Sequence, residues 1–172
     1  DPAFLADLKC LEELVEDYNA KVLQLDSANL VCGIHNQLLA SDEIAKFSYK
    51  LYSYCSLSES VNSADKQASA YIEKITKILN EMTRAETAFE NFVASIEDLD
   101  EIIASDELLT EYAYHLRRIK ELAVHNLSED VEEAVSKLEI SGASAWAKQH
   151  GYLTSMLKVD YDGREMTLSA IR

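Results

Sequence analysis

The chain has 172 residues, 48% of them apolar, and carries 31 acidic side chains against 16 Lys and Arg, a formal net charge of −15. At this length a chain buries about 70% of its extended surface, so one domain with a sizeable core is expected without disulfide or metal staples. The charge repels phosphate, which argues against nucleic acid and anionic membranes as partners and leaves solubility, or attraction of cationic ligands, as uses for an acidic surface.

Only four Gly and a single Pro occur, and the Pro is Pro2. So few breakers predict long helices joined by short connections. Cys10, Cys32 and Cys55 are widely spaced and form no Cys-x-x-Cys pair. They suit small buried apolar positions in a reducing compartment better than a disulfide framework. No apolar run approaches the roughly 20 residues that span a bilayer, and no signal-peptide pattern opens the chain. A cytoplasmic protein is expected. The start at Asp1 without methionine and the abrupt "LSAIR" ending read as part of a longer chain.

Asp1-Pro2 forms a helix start, with an acceptor at the N-cap and a fixed φ at the first helical position. Phe4, Leu8, Leu11, Val15, Tyr18, Val22 and Leu25 then recur in alternating steps of four and three, a heptad stripe with most of the acids off it. Ser27 is the expected cap of a second segment carrying Leu30, Val31, Ile34, Leu38 and Leu39, which Gly33 weakens without ending. Ser41-Asp42-Glu43 reads as a fresh cap for a third segment through Ile44, Phe47, Leu51, Tyr54 and Cys55. Periodicity leaves open whether these two segments join.

"LSESVNSADK" is a polar turn region. From Asn62 or Ser63 the four-three step resumes through Ala68, Ile72, Ile75, Leu79, Met82, Phe89, Val93 and Ile96, interrupted at Glu86. It predicts one helix over 64–97, about 50 Å long. A restart is expected at "EDLDE", capped by Asp98 or Asp100. A helix "DELLTEYAYHLRRIKELAV" follows, with Leu108, Leu109, Tyr112, Leu116 and Ile119 on one side. Two more helices are expected around Val131, Val135 and Leu138 and around Trp146, Leu153 and Leu157. Asp162-Gly163 between short alternating segments predicts a two-residue hairpin over about 158–168. The fold class is therefore all-α, a multi-helix bundle of long antiparallel helices that ends in a small β-hairpin.

Catalytic patterns are absent. The four histidines are His35, His115, His125 and His150. They form neither the His-Glu-x-x-His of zinc peptidases nor the paired Glu-x-x-His of di-iron bundles. Glu111 with His115, and Glu121 with His125, are helical neighbours at i,i+4 suited to hydrogen bonding. The two pairs point about 80° apart, so they do not converge on one ion. Four isolated glycines build no phosphate loop or nucleophile elbow. Tyr49, Tyr52 and Tyr54 are expected to bury their rings and keep their hydroxyls near the surface. The seven acids from Glu97 to Glu111 lack an EF-hand pattern and read as helix N-terminal charge on a wet face.

The stretch "HNLSEDVEE" at 125–133 reads as a joint between helices. Ser128 is the N-cap, Glu129 and Asp130 meet the positive end of the helix dipole, Leu127 packs inward, and His125 closes the preceding helix. Here a resemblance appears. Leu108, Tyr112 and Leu116 lead into His125-x-Leu127-Ser128-x-x-x-Glu132, preceded by Leu51-x-x-Tyr54 and "TAFENFVASI" and followed by Gly142-Ala143-Ser144, Trp146 and the Asp162-Gly163 turn. In this order, over nearly all 172 residues, the chain resembles the N-terminal region of oligoendopeptidase F, of the thimet-oligopeptidase-like zinc metallopeptidases.

The resemblance implies that residues 1–172 form a single helical lobe that roofs a deep channel, limits cleavage to short peptides and is itself inactive. It places the His-Glu-x-x-His helix, a third Glu ligand and the zinc in a C-terminal catalytic domain after 172. No catalytic, cofactor-binding or metal residue of that family maps onto this segment. Its implied partners are that catalytic domain and short peptide substrates, with neither nucleic acid nor membrane. Self-association through the face that normally meets the rest of the enzyme is also expected of the isolated segment. The alternative reading is a free-standing acidic helical-bundle interaction module.

Overall fold

The structure is a computed structural model and describes residues 2–62, 66–167 and 171, apart from the side chain of Ser27. Helix α1 (Pro2–Val22) buries Phe4, Leu8, Leu11, Val15, Tyr18 and Val22, the stripe predicted from the four-three step. Pro2 stands in the first turn, where no intrahelical N–H bond is lost. The cap expected at Asp1 lies outside the described residues. A 3₁₀ turn (Ser27–Asn29) follows, and the Asp26 carboxylate accepts from Ala28 N at 3.3 Å. The cap expected of the Ser27 side chain also lies outside what is described.

Helix α2 (Leu30–Val61) runs unbroken for 32 residues, so the restart expected at Ser41-Asp42-Glu43 does not occur. Asp42 accepts a hydrogen bond from the Tyr112 hydroxyl instead. That long-range partner takes the carboxylate a cap would have used. Gly33 sits inside α2 because Leu25 folds over it: a Cβ there would lie 3.0 Å from Leu25 Cδ2. Helices α1 and α2 pack antiparallel, with Asp7 paired to Lys50 at 2.5 Å and Gln37 Nε2 donating to the Tyr18 carbonyl at 3.3 Å. Tyr54 meets Phe4 at 5.4 Å between ring centroids, yet it is 55% exposed, and Tyr49 is 78% exposed. The expected burial of these tyrosine rings is thus corrected: they lie on the outer side of α2. Of the cysteines only Cys55 is buried, while Cys32 is exposed and accepts from Asn36 at the start of α2.

The single helix predicted over 64–97 is two helices, α3 (Lys66–Asn80) and α4 (Thr83–Ser95). Its expected start at Ser63 lies outside the described residues, and Asn62 instead caps the C-terminus of α2. The break at Glu81-Met82 has identifiable causes. Asn19 of α1 donates to the Glu81 carbonyl at 3.1 Å, and Asn80 and Thr83 bond Ser136 across the bundle. These contacts satisfy backbone and side-chain groups that an unbroken helix would have kept to itself. The apolar stripe survives the break, with Ile75, Met82, Phe89, Val93 and Ile96 all buried.

Helix α5 (Leu99–Ala104) starts after Asp98, which gives only its backbone carbonyl to the turn; Asp100 pairs with Arg117 at 2.8 Å. The helix expected over 106–124 is likewise split, into α6 (Glu107–Glu111) and α7 (Ala113–Leu122), around Tyr112 at φ −87 and ψ 9. Tyr112 is the residue whose hydroxyl holds Asp42 of α2, so the break lies where α6 and α7 are tied to the first helices. Leu109, Leu116 and Ile119 of this segment enter the same core as α1–α4.

After a 3₁₀ turn (Ala123–His125) come α8 (Glu129–Glu139), a wide π-type turn (Ile140–Ser144), α9 (Ala145–Met156) and a hairpin of β1 (Lys158–Tyr161) and β2 (Arg164–Thr167). The strands pair antiparallel in register Lys158 to Thr167 through Tyr161 to Arg164. Asp162 and Gly163 have φ of 55° and 74°, the left-handed pair that a two-residue hairpin requires. Residue 168, the predicted end of the hairpin, lies outside the described residues. The all-α bundle with a terminal hairpin stands as read from the sequence. Among the described residues no helix is long and apolar enough to cross a membrane.

Candidate functional site

Helices α8 and α9 contain no buried residue, whereas every other α-helix here buries at least one. Helix α8 has the amphipathic pattern of a core helix, so the question is which side faces in. The polar side does. Arg84 of α4 reaches Asp130 at 2.6 Å and also Glu129 and Glu133; Ser136 takes Asn80 and Thr83; and Lys148 pairs with Glu73 of α3 at 2.9 Å. The Lys148 bond holds the Glu73 carboxyl below its usual range, the Lys137 bond does the same for Glu133, and Asp130 pushes the Arg84 guanidinium further up.

The opposite side carries Val131, Val135 and Leu138 on α8, then Trp146, Leu153 and Leu157. Leu138 is 67% exposed and Trp146 74%. Gly142, at φ −93 and ψ −108, leaves the helical conformation and puts a kink between α8 and α9. Each helix keeps its own row of exposed apolar side chains, and together these rows form an outward apolar seam.

The joint read at 125–133 is present in altered form. The Ser128 carbonyl starts α8, accepting from Val131 and Glu132 N, but the Ser128 hydroxyl makes no capping bond. Glu132 reaches back instead and accepts from Leu127 N at 3.0 Å. Leu127, expected to pack inward, is exposed along with the seam it precedes.

The histidines are dispersed. His115 makes an edge contact with the Tyr112 ring at 6.4 Å rather than bonding Glu111, and Glu121 pairs with Arg118 at 2.6 Å rather than with His125. Both expected Glu–His pairs are thereby corrected, because a nearer arginine and an aromatic edge take the partners. His150 lies on α9, exposed. Among the described residues no three His, Cys, Asp or Glu side chains converge to hold a metal ion.

Among the described residues His35 has a carboxylate partner, which sequence reading missed. Its Nδ1 lies 3.1 and 3.2 Å from the two oxygens of Asp106, across a groove of about 630 Å³ that Cys32 and Ile102 also line. Asp106 also accepts from Leu109 N at 3.1 Å, capping α6. That backbone bond, and then His35, hold its carboxyl below the usual range. A depressed carboxylate pKa adds stability above the unfolded value of 3.8, and this is lost as pH falls through the folded value. Asp106→Asn should therefore lower the urea midpoint at neutral pH, and the gap to wild type should close in acid. An unchanged gap at pH 3 would show that the carboxylate charge does not matter here.

With this geometry in view, comparison with protein families finds a match. Residues 94–158 are similar to oligopeptidase F, the N-terminal family of M3 peptidases. The oligopeptidase F match covers less than half of the chain, from the end of α4 to the first residue of β1. It contains α5–α9 and the whole outward seam. Over these residues it supports the resemblance read from the sequence, an N-terminal region of oligoendopeptidase F. No curated protein and no solved structure matches the chain.

Proposed function

We propose that the chain is the N-terminal helical lobe of a zinc-dependent oligoendopeptidase of the cytoplasm, walling a substrate channel so that only short peptides reach the zinc. The observation that carries this reading is the family match over 94–158 together with the outward seam it contains. A lobe that turns its apolar side away from its own core is built to meet another body, and the C-terminal catalytic domain of the same protein supplies that body. Long helices tied by cross-links such as Asp7–Lys50 and Glu12–Lys74 form a stiff wall. A rigid wall admits an extended peptide and excludes a folded domain.

The described side chains do not fit a zinc site, since no three candidate ligands converge. On this reading peptide-bond chemistry belongs to a downstream domain. Purified residues 1–172 should retain no stoichiometric zinc by metal analysis and hydrolyse no oligopeptide. Chelator-sensitive cleavage by the pure chain would overturn the assignment. A parent gene without a downstream His-Glu-x-x-His would overturn it as well.

A further inference from the structure

We propose that α8, α9 and the hairpin form a salt-releasable arm, held to the bundle by ion pairs and hydrogen bonds. Rising ionic strength frees it by rotation at 126–128 while α1–α7 stay folded. This goes beyond the peptidase reading and does not depend on it. No residue of α8 or α9 is buried. Between 129 and 157 the half-buried residues are Glu129, Glu132, Glu133, Ser136, Ile140 and Gly142. Ile140 is the one large apolar side chain among them. The bonds that join arm to bundle make a polar ladder along α3 and α4. Arg84 meets Asp130 at 2.6 Å, Thr83 meets the Ser136 hydroxyl at 3.1 Å, and Glu73 meets Lys148 at 2.9 Å.

The pivot is set by the backbone and by two bonds. Asn126 (φ −65°, ψ 138°) and Ser128 (φ −67°, ψ 150°) are extended, so no continuous helix carries α7 rigidly into α8. Asn126 donates to Glu90 of α4 at 2.7 Å and stays with the bundle. Leu127 N donates to Glu132 and goes with the arm. Helices α1 and α2 are joined differently, since their Asp7–Lys50 pair accompanies the buried Leu8, Leu11, Ile34 and Leu51. Salt screens both junctions: the Debye length falls from about 10 Å at 0.1 M to about 3 Å at 1 M. Apolar burial does not rest on charge, so α1 and α2 stay together. Arg84, Asp130, Glu73 and Lys148 are all exposed, where ion pairs are weak and fully screened. The arm gives way first.

Hydrogen exchange followed along the 172-residue chain tests this. A released arm consists of short helices that are marginal in water, so its amides lose protection. Raising NaCl from about 50 mM to about 1 M should lower protection across 129–156 at least about fivefold and leave α1 and α2 within about twofold. Arg84→Met should exchange at low salt as wild type does at high salt, whereas Lys50→Met, which removes an ion pair beside the core, should not. A Thr83→Cys plus Ser136→Cys disulfide, in a Cys10→Ser and Cys32→Ser background, should abolish the salt effect. Helical circular dichroism at low salt verifies that each variant is folded. Salt-independent protection across 129–156, or a loss shared equally by α1 and α2, would overturn the proposal. So would an Arg84→Met chain that exchanges like wild type, or a salt effect that persists in the disulfide-locked chain. None of these outcomes touches the peptidase assignment, which is tested by zinc content and cleavage.

Discussion

Leu116→Ala should lower the free energy of unfolding by about 2–5 kcal/mol, the range for a truncated core leucine. Leu138→Ala, measured in dilute solution, should change it by no more than about 0.5 kcal/mol, as a surface substitution does. Both leucines lie on apolar stripes of amphipathic helices, and their sequence surroundings are alike. The structure separates them: Leu116 is fully buried in the core shared by α1–α4, whereas Leu138 is 67% exposed. Truncating Leu116 removes methyl groups from a packed site that can only partly collapse. Truncating Leu138 removes them from water. Urea titration of the two variants decides the matter, and equal losses would mean that α8 is buried after all.

Alkali should unfold the chain through Tyr18. Burial, opposed by a bond to Gln37 and reinforced by the carboxylates of Glu86 and Glu90, pushes its phenol from 10.0 up to about 12. An acid whose folded pKa is raised keeps its full contribution below the unfolded value and loses it as pH climbs through the folded one. Unfolded Tyr18 ionises near pH 10 while the folded ring stays neutral, so the loss runs between pH 10 and 12. A gap of this size corresponds to roughly 3 kcal/mol by proton linkage. Tyr18→Phe should flatten this part of the stability profile. Wild type and variant falling in parallel above pH 10 would assign the alkaline loss to other groups.

Much of the fold is legible in the sequence because its causes are local. The stripe of α1 follows from spacing alone. The hairpin follows from Asp162-Gly163, since only residues tolerant of positive φ close a two-residue turn. The start of α8 at Glu129 follows from the acids after Ser128. Where reading failed, the cause was distant. Asp42 looks like a cap until Tyr112 takes its carboxylate, 70 residues on, and His35 looks solitary until Asp106 arrives from 71 residues away. The breaks at Glu81-Met82 and at Tyr112 fall at groups whose partners lie on other helices, and neither coincides with a Gly or Pro.

The candidate site shows the same division. That Val131, Val135, Leu138, Trp146, Leu153 and Leu157 form apolar faces was readable, since residues three and four apart share a helix side whatever surrounds them. That these faces turn outward was not. Amphipathicity states that a helix has two sides, and packing chooses which one meets the core. Here Arg84 draws the acids of α8 toward the bundle and Glu73 draws Lys148 of α9 the same way, so the polar side is spent on attachment. The sequence alone determined the apolar stripes, the hairpin and the composition of each face. Only the tertiary structure decided which face was left uncovered, because that choice rests on ion pairs and hydrogen bonds between residues that no local window contains.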